Sequence, residues 1–266
     1  MAAEPKTRLD QALVERGLAE TRARAPALIL AGKVAVDGER ATKAGQVVLA
    51  ASVIAVESDD GWASRGALKL LGALAEFPWL LDRIRGAECL DIGASTGGFT
   101  DVLLRHGAAR VVALDVGYGQ LHERLRTDPR VVVMDRTNIR LLPEGALPAA
   151  PTIATCDASF ISVRLFLDVV FRELAPGGVF VVLVKPQFEV GKDHVGKGGV
   201  VRDDAARQGA RAAVEARAKD VGFSVAGSVD APIHGPAGNR EILLVLEKPA
   251  SSSATSLAEV EPGAGG

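Results

Sequence analysis

The chain has 266 residues, 48% of them hydrophobic, with 31 Lys and Arg against 33 Asp and Glu and a formal charge of −2. That is enough apolar material for one sizeable core and a small second module, and the near-neutral balance excludes a whole-chain electrostatic argument for a polyanionic partner. The opening MAAEPKTRLD carries four charges and no apolar core, and apolar runs such as VFVVLV are strand-sized, so neither a secretory signal nor a membrane span is expected, and the protein reads as soluble and cytoplasmic.

Residues 8–16, RLDQALVER, place Leu9, Ala12 and Leu13 on one helical face, and Gly17 is positioned to end that helix. A second helix is predicted within TRARAPALILAG, between Thr21 as a cap and Gly32; Pro26 either kinks it or marks where it begins. Val34 and Val36 then alternate into Asp37-Gly38, a hairpin signal, and SVIAVE supplies a further strand. Two short helices with a small β-ribbon resemble the S4 RNA-binding domain, Pro26 being the departure from its pattern. The resemblance implies a basic face that meets RNA phosphates, formed here by Arg8, Arg16, Arg22, Arg24 and Lys33. Residues 1–50 hold eight Lys and Arg against six Asp and Glu, so composition alone reads as a solvated surface and the RNA assignment rests on the resemblance.

From residue 65 the rhythm changes. A helix over RGALKLLGAL precedes strands near 88–92, 110–114, 130–134, 152–157 and 179–184, mostly separated by helical patterns, which implies a parallel α/β sheet. The long amphipathic stretch DDAARQGARAAVEARAKDVG leads to two closing strands, SVAGSVDAPI and REILLVLEK. The predicted organisation is an RNA-binding module over 1–60, a linker over 61–64, a catalytic domain over 65–248 and a disordered tail over 249–266, where no core-forming pattern occurs. Cys89 and Cys156 lack CxxC spacing and read as reduced core thiols, and the four histidines show no metal-ligand spacing, so no metal is expected.

LDIGASTGGFTD, residues 90–101, is a strand running into a glycine turn and a helix, a junction that offers backbone N–H groups and a positive helix end to an anionic or adenosyl ligand. A nucleotide-triphosphate loop needs GK[ST] at its end and a dinucleotide turn needs GxGxxG; GASTGGF has neither. What remains is D-x-G-x-x-x-G-G-F with Asp115 ending the next strand, which looks like the S-adenosylmethionine site of class I methyltransferases. The cofactor set so implied is Gly93, Ser95, Thr96, Gly97, Gly98, Phe99, Asp115, Asp135 and Asp157. The glycines would let backbone approach the cofactor, Asp115 would accept the ribose hydroxyls, and Asp135 sits where an acid commonly approaches the adenine amino group.

After the fourth strand of this region CDASFIS replaces the D/N-P-P-Y/F turn of amino-methylating enzymes, and Cys156, directly before Asp157, points to the wrong sheet face for a carbon-methylating nucleophile. Lys69, Asp157, Lys185 and Glu241 together resemble the K-D-K-E tetrad of FtsJ-type 2′-O-ribose methyltransferases, and Asp157 and Lys185 at strand ends share one edge of the sheet. By that resemblance Lys185 is the principal catalytic group and the other three position it or the ribose; which group takes the hydroxyl proton stays open. The glycine-rich EVGKDHVGKGGVVRDD that follows is either a gate reaching RNA through Lys192 and Lys197 or a flexible surface connection.

An S4 module fused to an FtsJ-like domain, with SRGALKL, DIGASTGGFTD, DVGYGQL, KPQFE and GPAGNRE in order, resembles the TlyA family of rRNA 2′-O-methyltransferases over nearly residues 6–248. The resemblance implies an α/β, class I Rossmann-like methyltransferase domain beside a small α+β S4 domain, S-adenosylmethionine as cofactor, and cytidine ribose of 16S and 23S ribosomal RNA, within the ribosomal subunits, as substrate. Loss of the family's activity is linked to capreomycin resistance. Two rivals are a membrane-acting haemolysin, for which no amphipathic insertion helix or spanning segment is found, and a non-catalytic ribosome-assembly protein, against which the glycine turn, Asp115 and the tetrad argue.

Overall fold

The computed structural model describes residues 6–19, 21–30, 32–56 and 61–250. Most of the predicted tail, 251–266, lies outside the described residues. The N-terminal module runs β1 (Lys6–Arg8), α1 (Leu9–Glu15), α2 (Arg24–Leu30), β2 (Val34–Val36), β3 (Glu39–Arg40), β4 (Val47–Leu49) and β5 (Ile54–Val56). Leu9, Ala12 and Leu13 of α1 pack with Leu28 and Ile29 of α2 over Val34, Val36, Val48, Ile54 and Val56. Pro26 does not kink α2: it is the third helical residue, where an N–H has no intrahelical acceptor to lose. The helix begins at Arg24, whose N–H donates to the Thr21 hydroxyl at 3.1 Å. Asp37 and Gly38 both have positive φ, 52° and 86°, the conformation that a two-residue hairpin between β2 and β3 demands. The β1–β4 pairing is unpredicted, because KTR has no apolar alternation to mark it.

The larger module continues α3 (Ala67–Glu76), α4 (Trp79–Ile84), β6 (Glu88–Ile92), α5 (Gly98–Arg105), β7 (Arg110–Leu114), α6 (Glu123–Arg126), β8 (Val131–Met134), β9 (Ile153–Cys156), α7 (Leu167–Glu173), β10 (Val179–Val184), α8 (Pro186–Glu189), α9 (Asp204–Val221), β11 (Ser224–Asp230) and β12 (Ile242–Glu247). Its seven strands lie in the order β8-β7-β6-β9-β10-β12-β11. All pairs from β8 to β10 are parallel, and β12 runs antiparallel between β10 and β11. The wholly apolar β10 is buried along its length, as a strand covered on both faces must be. One face packs Leu70, Phe99 and Leu103, the other Phe166, Phe180 and Val214. The chain winds outward from β6 in one direction through β7 and β8, then in the other from β9, so the carboxyl ends of β6 and β9 flank the crevice where such sheets bind ligands.

Cys89 and Cys156 are buried free thiols, and burial pushes both up to about 12. Gly97 caps α5 with φ +96°, and a Cβ there would collide with the Leu121 and Leu125 side chains. Gly97→Ala should therefore cost roughly 2 kcal/mol or more, combining left-handed strain with overpacking. Gly38→Ala, which has positive φ but nothing within 4 Å, should cost only about 1 kcal/mol; urea denaturation of both variants measures the difference.

Candidate active site

The four tetrad candidates come from four different elements and meet at the carboxyl edge of the sheet. Lys69 lies on the buried face of α3, Asp157 follows β9, Lys185 follows β10 and Glu241 precedes β12. The register pairs Val184 with Ile242. An antiparallel strand starts where its parallel neighbours end, so Glu241 stands beside Lys185 at the same edge. Lys185 Nζ lies 2.7 Å from Asp157 Oδ1, and Lys69 Nζ lies 3.2 Å from Asp157 Oδ2 and 2.8 Å from Glu241 Oε2. The charges thus alternate in one chain: Glu241, Lys69, Asp157, Lys185. Lys185 also donates to the Asp157 carbonyl at 3.1 Å and to Ser159 Oγ at 2.7 Å.

Both lysines and Glu241 are buried, while Asp157 is partly open to the cleft. Burial alone would raise Asp157, but Lys185 and Lys69 outweigh it and hold the carboxyl below its ordinary range. Burial alone would likewise lower Lys69, yet Asp157 and Glu241 raise it. Asp157 is therefore ionised and Lys69 is an ammonium at neutral pH. Glu241 Oε1 is buried without a hydrogen-bond partner and packs on Gly235, where a Cβ would overlap the carboxylate. Gly235 of the GPAGNRE stretch is thus required by Glu241.

The glycine turn adjoins this chain. Gly93 and Gly97 have φ of +76° and +96°, and Ser95 has φ of 48°. Each of the three glycines admits a close neighbour within the protein. A Cβ on Gly93 would lie 2.9 Å from the Ala158 backbone, one on Gly97 would strike Leu121 and Leu125, and one on Gly98 would strike Ser64 and approach Ala67 N to 2.8 Å. Asp115 faces the turn: Ser95 N–H donates to its Oδ2 at 2.9 Å and Gly117 N–H to its Oδ1 at 2.7 Å. Asp135 accepts from Gly119 N–H at 3.0 Å. Thr96 accepts from His122 N–H through its carbonyl at 3.2 Å, and Phe99 is core.

A cavity of about 240 Å³ is lined by Gly93, Ser95, Thr96, Gly98 and Phe99 of the turn, by Lys69, Asp157 and Lys185, and by Arg16, Gly17, Ile54 and Val56 of the N-terminal module. Asp115 and Asp135 lie outside its lining. The two modules touch here, where Gly17, φ +66°, leaves room for the Pro236 backbone and Arg65 donates to the Gly17 carbonyl.

The predicted RNA contacts divide by geometry. Arg22 and Arg24 are exposed and Lys33 is half-buried. Arg8 is paired with Asp10 at 2.6 Å. Arg16 donates to the carbonyls of Leu49, Ala50 and Ser52, which ties α1 to the turn between β4 and β5. Lys197 is exposed, and the side chain of Lys192 lies outside the description. The glycine-rich segment is pinned in part by the buried Asn239, which donates to Gly199 O at 2.9 Å and accepts from Val201 N–H at 2.9 Å. Three further residues have no role assigned from the sequence. Asp91 is buried between Thr100 and Thr155, which donate to it at 2.7 and 3.1 Å. Ser159 contacts Lys185, and Phe160, three residues after Asp157, stands 90% exposed with φ of 64°. An aromatic residue in the loop CDASFIS directly after a strand is the one sequence signal for Phe160; its positive φ and exposure emerge only in the structure.

Sheet order, glycine turn and carboxyl-edge tetrad define a class I methyltransferase. The FtsJ-like methyltransferase family matches residues 62–248 and the S4 domain residues 7–54. The chain is 47% identical over 243 residues to the Mycobacterium tuberculosis 16S/23S rRNA (cytidine-2′-O)-methyltransferase TlyA, covering 91% of this chain and 90% of that protein. It is 39% identical to Hemolysin A of Brachyspira hyodysenteriae, covering 89% and 98%. A solved structure from Streptococcus thermophilus that carries a hemolysin name superposes with a TM-score of 0.76 at 40% identity, over 96% of this chain and 94% of that one. The chain belongs to the TlyA family, FtsJ-like methyltransferases that carry an S4 domain. Among the described residues no helix is long and apolar enough to cross a membrane.

Burial raises Asp91 from 3.8 to about 6, against the two threonine hydroxyls that lower it and with a smaller upward push from Asp157. The folded protein thus holds a proton there over a range in which the unfolded chain has lost it. The stability Asp91 contributes is complete below the unfolded value and is lost as pH rises through 6. Relative to Asp91→Asn, the wild type should lose up to about 3 kcal/mol between pH 4 and 7. Denaturation of both proteins across that range measures it, and a pH-independent difference would contradict the assignment.

Proposed function

We propose that this enzyme transfers the methyl group of S-adenosylmethionine to the 2′-hydroxyl of cytidine ribose in ribosomal RNA, in both the 16S and 23S molecules. The observation that carries the reading is the alternating chain Glu241–Lys69–Asp157–Lys185, whose open end faces the same cavity as the glycine turn. The relatives named for cytidine-2′-O methylation of rRNA support it.

The residues present fit the cofactor. Each oxygen of Asp115 accepts one backbone N–H and keeps a lone pair for a ribose hydroxyl, and the neighbouring Val116 is exposed as an apolar surface for a base. Gly93, Ser95, Thr96, Gly97, Gly98, Phe99, Asp115 and Asp135 would hold it, with Asp157 between it and the tetrad. S-adenosylmethionine supplies an electrophilic methyl group on a sulfonium.

The chain's own part is orientation and charge. Lys185 gives its N–H groups to Asp157 and Ser159; swinging one of them to the ribose 2′-oxygen fixes that oxygen's direction of attack and stabilises the negative charge that develops on it. Lys69 and Glu241 hold Asp157 so that Lys185 has one position. Phe160 offers an aromatic face to a nucleobase turned out of its stack, the usual way single-stranded RNA is gripped. Arg22, Arg24 and Lys33 of the S4 domain, with Lys192 and Lys197 of the glycine-rich segment, would meet phosphates. Arg8 and Arg16 would join them through whatever valence their internal contacts leave.

Lys185→Ala should keep the fold, because Asp157 retains Lys69, and should keep cofactor affinity within a few-fold. Single-turnover methyl transfer to rRNA from tritiated cofactor should fall by at least ~100-fold. Wild-type transfer by an RNA-bound alanine variant would overturn the reading.

A further inference from the structure

The KPQFE stretch contributes Lys185 to the tetrad, yet three of its side chains grip one loop. That loop, residues 157–163, carries Asp157, Ser159 and Phe160. Lys185 holds its start, at Asp157 and Ser159. Phe188 meets its middle, with ring centroids of Phe160 and Phe188 5.4 Å apart. Glu189 holds its end: Oε2 accepts from the Ser162 hydroxyl at 2.6 Å and Oε1 from Val163 N–H at 2.7 Å. Arg164 closes the contact, donating to Glu189 Oε2 at 3.1 Å and to the Glu189 carbonyl at 3.0 Å.

The Glu189 side chain is 1% exposed, so it does not itself reach a ligand in the cleft. A carboxylate is retained in such a place only if its hydrogen bonds are well made, and here they are made to one segment. That segment contains a strained residue, Phe160, with φ of 64° and an aromatic ring left in solvent. Strain of this kind persists only where the surroundings over-determine it. The neighbouring Lys185 contact cannot do so alone, because it lies on the other side of Phe160.

We propose that Glu189 is a positioning residue for methyl transfer, fixing the far end of the 157–163 loop so that Phe160, Ser159 and Asp157 stand in register with Lys185. The inference rests on the ribose-methylation reading and extends it to a residue outside the tetrad. Removing the carboxylate releases Ser162 and Val163 N–H, relaxes Phe160 and widens the range of positions open to Asp157 and Ser159. Cofactor binding, which depends on the glycine turn and Asp115, is left intact.

The test uses the full chain with Glu189→Ala, Glu189→Gln, Phe160→Ala and the Phe160→Ala/Glu189→Ala pair. Glu189→Ala should slow single-turnover transfer to saturating rRNA by about tenfold or more, leave the cofactor Kd within about twofold, and speed amide exchange across 158–163 but not in β6, β9 or β10. Glu189→Gln, which can still accept from Val163 N–H and donate to Ser162, should recover most of the rate, and decides the matter if the alanine variant does not fold. The double variant should lose less than the two single losses combined, because the two act through one loop. Wild-type rate in Glu189→Ala, additive losses in the double variant, or faster exchange throughout the sheet would each overturn the proposal. If the wild type methylates no rRNA, the ribose reading fails, and the exchange pattern alone still decides whether Glu189 fixes the loop.

Discussion

Two ammonium groups share one carboxylate at the carboxyl edge of the sheet, and a second carboxylate balances the count from behind. Any one of these four ions buried alone would cost several kcal/mol. Together they form a neutral chain in which each member makes the next tolerable. The constraint reaches far along the sequence, since α3, the end of β9, the end of β10 and the start of β12 must all arrive at one point. The antiparallel insertion of β12 between β10 and β11 is what makes this possible for Glu241: a parallel strand there would have begun at the opposite edge. Gly235, Ser159 and Glu189 then follow as local conditions, one giving the Glu241 carboxylate space, one accepting from Lys185, one fixing the loop that carries Asp157.

The N-terminal module takes part in the same cleft. Arg16, Gly17, Ile54 and Val56 form one wall of the cavity whose other wall is the glycine turn with Lys69, Asp157 and Lys185. The contact is close because Gly17, in the left-handed conformation, admits the Pro236 backbone from the stretch that leads to Glu241. An RNA held by the S4 surface would therefore be presented to the reacting groups at short range, and a side chain at residue 17 would push the wall away.

Much of this was legible in the sequence because burial writes itself plainly into strands. VFVVLV, RVVAL, ECLDI and IATC appear as strands at or within a residue of where their patterns place them, and the strand-end positions of Asp157 and Lys185 follow from IATC and VFVVLV. What stayed hidden depends on contacts between distant segments. Arg16 looked like a free cation, but three carbonyls 33 to 36 residues away in sequence hold it. The glycines of the turn suggested close approach of a ligand; the approaches visible here are those of Ala158, Leu121, Leu125, Ser64 and Ala67. Asp91 read only as the first letter of a motif, since nothing local shows that Thr100 and Thr155 will enclose it. Glu189 ends the KPQFE motif with no role legible there, because its partners lie on a different strand's loop.

The proposed role of this constellation is to deliver a methyl group to a ribose oxygen and to no base. Incubating 16S and 23S rRNA with the enzyme and isotope-labelled S-adenosylmethionine, followed by digestion to nucleosides and mass spectrometry, reads the acceptor atom directly. The account predicts label in 2′-O-methylcytidine. Label confined to a base-methylated nucleoside would contradict it.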